Sequence, residues 1–206
     1  GLRMTLIFGV PAALGLMLLA GPMIATLFES AVFDANDVAM AERSLIAYGF
    51  GLQAFILIKV LAPGFYARQD TRTPVRIGVI AMAANMVFNL ALIWPLQHAG
   101  LALATSLSAY LNAYLLMRML RRGKAYVPTA GWGRLALQVA VAATVMTALL
   151  AWFSPDLRAW LDAGRLQRVG MLAGLIVLGA LTYFSVLLLS GLRLRNLRAQ
   201  DVEAEN

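Results

Sequence analysis

The chain has 206 residues, of which 61% are hydrophobic and 13% charged, and its formal net charge at pH 7 is +7. Soluble globular chains carry about 25% charged residues, so about half of the usual solvating surface is missing, and we expect an all-α integral membrane protein. The chain has no cysteine and one histidine, which excludes disulfides, thiolate nucleophiles and cysteine- or histidine-rich metal sites. In a soluble chain the positive charge would suggest a nucleic acid; here it falls in loops, and no nucleic-acid partner is expected.

Six apolar runs predict six transmembrane helices, because a bilayer core needs roughly 20 apolar residues in helical form. Pro11 and Gly21-Pro22 interrupt the first run. We expect kinks there, since neighbouring helices can satisfy the carbonyl that a proline leaves free. The runs are approximately Met4–Phe28, Leu45–Tyr66, Val75–Leu96, Leu101–Leu120, Leu135–Phe153 and Val169–Leu192.

The charges of the connecting loops predict the orientation. Positive residues dominate alternate loops, with Arg68, Arg72 and Arg76 after the second run and the cluster Arg118–Lys124 after the fourth. The first loop is acidic, the turn Gln97–Gly100 holds no Lys or Arg, and the fifth loop mixes both signs. The positive-inside rule therefore places both chain ends in the cytoplasm. The cluster Arg118–Lys124 is expected to set topology and attract anionic membrane lipids, or to bind a phosphorylated headgroup.

No catalytic constellation is present in the sequence. A Ser-His-Asp set is not available, because the single histidine, His98, lies in a turn on the outer face. There is no phosphate-cradling glycine loop, and the carboxylates lie in loops instead of facing one another in a core. We therefore expect a protein without enzymatic activity, for which transport is the natural alternative.

Lys59 is the one ionisable residue well inside a predicted span. Intramembrane charge is costly and suggests a functional site, but Lys59 lies only about two turns from the cytoplasmic end, where a lysine can also extend its ammonium group to the interface. Pro63 cannot donate to the carbonyl of Lys59, and a locally open helix suits a water-filled cavity. The candidates for contact with a substrate or cavity are Lys59, Gln53, Arg68 and Arg72.

Asn85 and Asn89 lie four residues apart on the third span, hence on one face, and Thr105 lies about one turn into the fourth. Two interpretations are open for this set. Interhelical hydrogen bonding is the ordinary role of such residues in a membrane. Coordination of a cation is the alternative, since sodium takes neutral oxygens of this kind. Gln53 and Asn112 are isolated, and for them packing is the main expectation.

Residues 60–92, VLAPGFYARQDTRTPVRIGVIAMAANMVFNLAL, resemble the lipid II flippase family (MurJ, also MviN) of the multidrug/oligosaccharidyl-lipid/polysaccharide exporter superfamily. The opening IFGVPAALGLMLLAGPMIATLF, the turn HAGLALATSLSAYLNA and the segment PTAGW agree with the family in order. The resemblance covers nearly the whole chain and is strongest over Leu45–Asn112. LAPGFYARQDTRTP is its most specific part.

The resemblance implies a fourteen-helix, two-lobe flippase of which this chain is the C-terminal part. Residues 1–122 would be the last four helices of the second lobe, and residues 123–198 two additional helices that form a lipid groove. Residues 199–206 would be a disordered tail. Such a protein moves lipid II, the undecaprenyl-diphosphate-linked peptidoglycan precursor, across the bacterial inner membrane by alternating access. Its partners would be lipid II, membrane lipids and the N-terminal lobe.

The resemblance also bears on the candidate cation site. Some family members bind sodium in the second lobe through an Asn and an acid four residues apart on one helix and a Thr on the next. Asn85, Asn89 and Thr105 fall on those positions, with the main-chain carbonyl of Leu101 nearby, but Asn89 replaces the acid. Sodium is therefore one possible cofactor, and coupling to protons or to the membrane potential is an equal alternative. The arginines that hold the diphosphate in the family lie mainly outside this chain.

Other functions are compatible with the same residues. A sister flippase would move O-antigen or another polyprenyl-linked glycan, and a drug exporter of the same superfamily would share the helix pattern. A protein of another class, a non-transporting membrane scaffold in a cell-wall complex, would need no cavity contact from Lys59.

Overall fold

The computed structural model describes residues 1–28, 35–123, 131–155, 160 and 163–191. All regular secondary structure within these ranges is helical, which confirms the predicted fold class. The predicted disordered tail, residues 199–206, lies outside the described residues, as do Lys124 and the first three residues of PTAGW. The helices are α1 (Leu2–Leu18), α2 (Ala20–Phe28), α3 (Ala35–Leu61), α4 (Pro63–Tyr66), α5 (Arg72–Arg122), α6 (Trp132–Phe153) and α7 (Arg165–Leu189).

Helix α5 contains two spans, not one. Its 51 residues would extend about 76 Å if straight, more than twice the roughly 30 Å of a bilayer core. Yet the side chains of Asn85 and Ser108, 23 positions apart, lie 3.2 Å from each other. The helix therefore folds back on itself, and residues 72–96 (α5a) and 98–122 (α5b) form an antiparallel pair. With α3, α6, α7 and the α1–α2 pair, this gives the six predicted spans.

The reversal in α5 occurs at a single residue. Gln97 has φ 51° and ψ −126°, while the residues on both sides of it are helical. Pro95 lacks the amide that would continue the hydrogen-bond ladder, and Gly100 lacks the side chain that would separate the two halves. A Cβ atom at Gly100 would collide with the main-chain carbonyl of Leu92. The expected four-residue turn Gln97–Gly100 is thus shorter than the sequence predicts.

The first span is broken more sharply than the predicted kink. Helices α1 and α2 are bent by 65° at Leu19, the one residue between them. Pro22 cannot donate to the carbonyl of Leu18, so the hydrogen-bond ladder of α1 stops there. Pro11 lies inside α1, which continues through it without a break.

The helices pack around two apolar cores. The first is formed by α1, α6 and α7 with Trp160, and includes the fully buried Ile7 and Tyr183. The second is formed by α3, α4 and α5 and comprises Leu61, Phe65, Ile77, Leu116 and Leu120. Helix α3 contacts both α1 and α5 and so connects the two cores.

One end of the bundle is strongly basic. The guanidinium of Arg3 lies 5.9 Å from the ring centroid of Trp132, which brings the starts of α1 and α6 together. Gln138 donates to the carbonyl of Ser190 over 2.8 Å, which places the end of α7 beside α6. Arg68 joins the α4–α5 connection to the end of α5. The described basic residues of this end are Arg3, Lys59, Arg68, Arg72, Arg76, Arg118, Arg121, Arg122 and Arg134.

The close approach at the α5 turn predicts that Gly100→Ala destabilises the protein. The added methyl group meets the backbone of Leu92, so α5a and α5b must separate, at a cost of roughly 1–3 kcal/mol. Gly78→Ala is the matched control, because a Cβ atom there has no neighbour within 4 Å. Unfolding of the purified full-length protein in detergent would measure both variants. Equal stability of the two would contradict the close packing at Gly100.

Candidate functional site

The segment LAPGFYARQDTRTP (Leu61–Pro74), called the signature turn below, connects α3 to α5 at the basic end of the bundle. Pro63 starts the short helix α4, and Phe65 is buried in the core with Leu120. A Cβ atom on Gly64 would touch the side chain of Leu120 at 3.4 Å, so α4 packs closely on α5b. Gln69 has φ 58°, a left-handed conformation that reverses the chain before α5. The segment therefore fixes how α3 meets α5.

Asp70 anchors the start of α5. Its carboxylate accepts a hydrogen bond of 3.0 Å from the backbone amide of Thr73. Hydrogen bonds from the side chain and backbone of Thr73, then from the backbone of Arg72, lower the pKa of the Asp70 carboxyl, and the charge of Arg68 adds to this effect. The carboxylate form is therefore favoured where the first amides of α5 need an acceptor.

The four predicted substrate or cavity candidates do not form one site. Gln53 and Lys59 are six residues apart on α3, about 120° apart around the helix, so they lie on different faces. The side-chain amide of Gln53 donates to the carbonyl of Thr5 over 3.3 Å, which places it between α1 and α3. Arg68 donates to the carbonyl of Gly123 over 3.3 Å, and Arg72 is exposed at the first position of α5.

Lys59 is exposed on α3 and shares a face with Phe55, one turn earlier. Phe55 lines a cleft of about 310 Å³ between α3, α5a and α5b. The cleft is also lined by Asn85, Thr105, Ser108 and Asn112. Lys59 thus lies one turn from a lining residue without lining the cleft itself, and its contact with a substrate stays a prediction.

The predicted polar residues of α5 meet across the hairpin. The amide of Asn89 donates to Asn85 Oδ1 over 2.9 Å, and the amide of Asn85 donates to Thr105 Oγ1 and Ser108 Oγ over 3.4 and 3.2 Å. The Thr105 hydroxyl in turn donates to the carbonyl of Leu101 over 2.9 Å. Ser108 was absent from the predicted cation set, although its position three residues after Thr105 puts it on the same face. These residues form one hydrogen-bonded chain between α5a and α5b.

In the structure, the oxygens of this polar chain take part in hydrogen bonds with one another. Asn85 Oδ1 and the carbonyl of Leu101, which a cation would need, already accept hydrogen bonds. Asn89 Oδ1 is buried and has no hydrogen-bond partner among the described residues. Within the same residues, no group of three or more His, Asp or Glu side chains is placed to hold a metal ion. The role of the set as cation ligands stays a prediction.

A second, apolar groove of about 370 Å³ lies between α1, α6 and α7. The family resemblance implies a groove between the last two spans; in the structure α1 also lines the apolar groove, as a third wall. Its lining includes Phe8, Pro11, Gly15, Leu150, Gly179 and Tyr183. A Cβ atom on Gly15 would have no neighbour within 4 Å, so this glycine leaves space in the groove.

Comparisons with known proteins identify relatives of this sequence. The family model described as "Lipid II flippase MurJ" matches residues 1–164. A probable lipid II flippase MurJ of Vibrio cholerae is 48% identical over 97% of this chain, and one of Haemophilus influenzae is 46% identical over 98%. The lipid II flippase MurJ of Burkholderia cenocepacia is 40% identical over 94% of the chain.

The chain spans only part of these relatives, namely 38%, 39% and 38% of their respective lengths. The family match nevertheless covers well over half of the chain, including the hairpin of α5, the signature turn and the first wall of the groove. With this coverage and these identities, the all-helical multi-pass chain belongs to the lipid II flippase MurJ family.

Proposed function

We propose that this chain supplies the last six helices of a fourteen-helix flippase that moves undecaprenyl-diphosphate-linked peptidoglycan precursor across the bacterial inner membrane by alternating access. The observation that carries the proposal is 48% identity to a probable lipid II flippase over nearly the whole chain. The remaining length of such relatives supports the need for an N-terminal lobe. The transport needs no bond-making chemistry from these residues, so no enzymatic activity is proposed.

The orientation follows from the charges at the two ends. Eight described arginines and Lys59 lie at the end that holds the start of α1 and the end of α7, whereas Asp37 and Glu42 lie at the other with only three described arginines, Arg43, Arg165 and Arg168. Cytoplasmic loops carry the excess of Lys and Arg in membrane proteins. The basic end, and with it both ends of the chain, is therefore assigned to the cytoplasm, where the precursor is loaded.

The polyprenyl tail of the precursor is assigned to the apolar groove of α1, α6 and α7. The groove runs along α1 from Phe8 to Leu19, about 16 Å. Its lining is almost wholly apolar, with Tyr183 the exception, and small residues give it room. A long hydrocarbon chain gains free energy in such a groove through contact area, without specific polar partners.

If the groove holds the tail, Gly15→Leu should lower precursor export strongly, because the added side chain fills the free space beside Pro11. Gly174→Leu is the matched control: Gly174 is also on a spanning helix and without close neighbours, but it does not line the groove. Export would be measured with the full-length proteins at equal abundance in the membrane. Equal export by the two variants would contradict the tail assignment.

Lys59 is assigned to contact with the headgroup of the precursor, since it lies beside the cleft between α3 and α5. A hydrogen bond to a charged group contributes about 1.5–3 kcal/mol, so Lys59→Met should reduce export roughly tenfold to a hundredfold. Lys59→Arg keeps the charge and should retain much of the export. Normal export and growth with Lys59→Met would favour the alternative, a non-transporting scaffold in a cell-wall complex.

The coupling of transport is proposed to be independent of sodium, because the polar chain of α5 has no carboxylate and is internally hydrogen-bonded. Export by the wild-type protein should be unchanged when K+ replaces Na+. Asn89→Asp puts an anionic oxygen beside Asn85 and Thr105, and should make export rise with Na+ concentration. Sodium-dependent export by the wild-type protein would overturn this assignment.

A further inference from the structure

The carbonyl of Ile7 has lost its helical partner. In an α-helix this oxygen accepts from the amide four residues later, which here belongs to Pro11 and carries no hydrogen. Helix α1 nevertheless continues through Pro11 without a break, and Ile7 is fully buried. A buried carbonyl in this position needs a donor from another part of the protein.

The donor is the side chain of Tyr183, on the opposite wall of the groove. Its hydroxyl donates to the carbonyl of Ile7 over 2.8 Å, and Tyr183 is fully buried. Aromatic contacts reinforce this pair: the ring of Phe184 lies 5.4 Å from that of Tyr183, edge to face, and 5.8 Å from that of Phe8. One hydrogen bond thus joins α1 to α7, and the aromatic rings of Phe8, Tyr183 and Phe184 pack around it.

Two other interhelical hydrogen bonds end on carbonyls that still have a helical amide partner. Tyr110 donates to the carbonyl of Phe50 over 2.9 Å, and Gln53 donates to the carbonyl of Thr5. Both carbonyls can also accept from a helical amide four residues later, those of Ala54 and Gly9. Removal of either side chain leaves the carbonyl with a partner, whereas removal of the Tyr183 hydroxyl does not.

We propose that Tyr183 is a positioning residue for the groove: its hydroxyl replaces the amide that Pro11 lacks and so fixes α1 as the third wall. The bond lies beside Pro11, at one end of the groove, and Gly15 and Gly179 line the same groove. With α1 held by Tyr183, the space beside Gly15 stays open for the apolar chain of the ligand. For the identity of that ligand, the inference rests on the proposed function.

A stability cycle on the full-length protein tests the hydrogen bond itself. Tyr183→Phe should lower Tm by a few degrees, and the matched control Tyr110→Phe should lower it less. Pro11→Ala restores the missing amide, so adding Tyr183→Phe to Pro11→Ala should lower Tm no further. Equal losses from Tyr183→Phe with and without Pro11→Ala would overturn the proposal.

Transport kinetics test the positioning role. With the long-chain precursor, Tyr183→Phe should raise the apparent KM on the order of tenfold at little change in maximal rate, as expected for lost binding. With a short-chain analogue, Tyr183→Phe should change the KM little. Adding Pro11→Ala to Tyr183→Phe should restore the KM for the long-chain precursor. Equal effects on both chain lengths, or a loss confined to maximal rate, would refute positioning. If the wild-type protein moves neither lipid, the proposed function fails, while the stability cycle still decides the hydrogen bond.

Discussion

A backbone carbonyl inside a bilayer has to find its hydrogen-bond donor within the protein, and prolines remove four such donors from the spans of this chain. The structure around each of these four prolines responds to the missing amide in a different way. At Pro11 a tyrosine hydroxyl replaces the amide, and at Pro22 the helix breaks and turns by 65°. At Pro63 helix α3 ends and the short α4 begins, and Pro95 lies two residues before the reversal at Gln97. The bends of the fold therefore follow from where prolines interrupt the hydrogen-bond ladder.

These interruptions shape both candidate sites. The reversal near Pro95 brings the face that carries Asn85 and Asn89 against Thr105 and Ser108. The break before Pro22 lets α1 and α2 run in different directions, so that α1 can pack on α6 and α7 and close the groove. Helix α1 thereby shares an apolar core with the last two helices, α6 and α7.

The sequence predicted what depends on local periodicity. The four-residue spacing of Asn85 and Asn89 places them on one face, and runs of about 20 apolar residues locate the spans. It did not predict contacts between distant segments, such as Tyr183 with Ile7, which are 176 positions apart. Nor did it predict the single-residue reversal at Gln97, because the collision that Gly100 avoids involves a backbone atom eight residues earlier. Both features depend on tertiary contacts, which a local sequence pattern does not predict.

Helix α3 lines the cleft through Phe55 and Ile58 and packs against α1, one wall of the groove. Through Gln53 it donates to the carbonyl of Thr5 on α1, and through the carbonyl of Ala47 it accepts a 2.6 Å hydrogen bond from the buried Ser106 on α5b. Gly9 and Gly51 allow these approaches, because a Cβ atom on either would collide with the bonding side chain. Helix α3 is therefore hydrogen-bonded both to α1 and to α5b. On the proposed function, α3 joins the cleft proposed for the headgroup to the wall proposed for the tail.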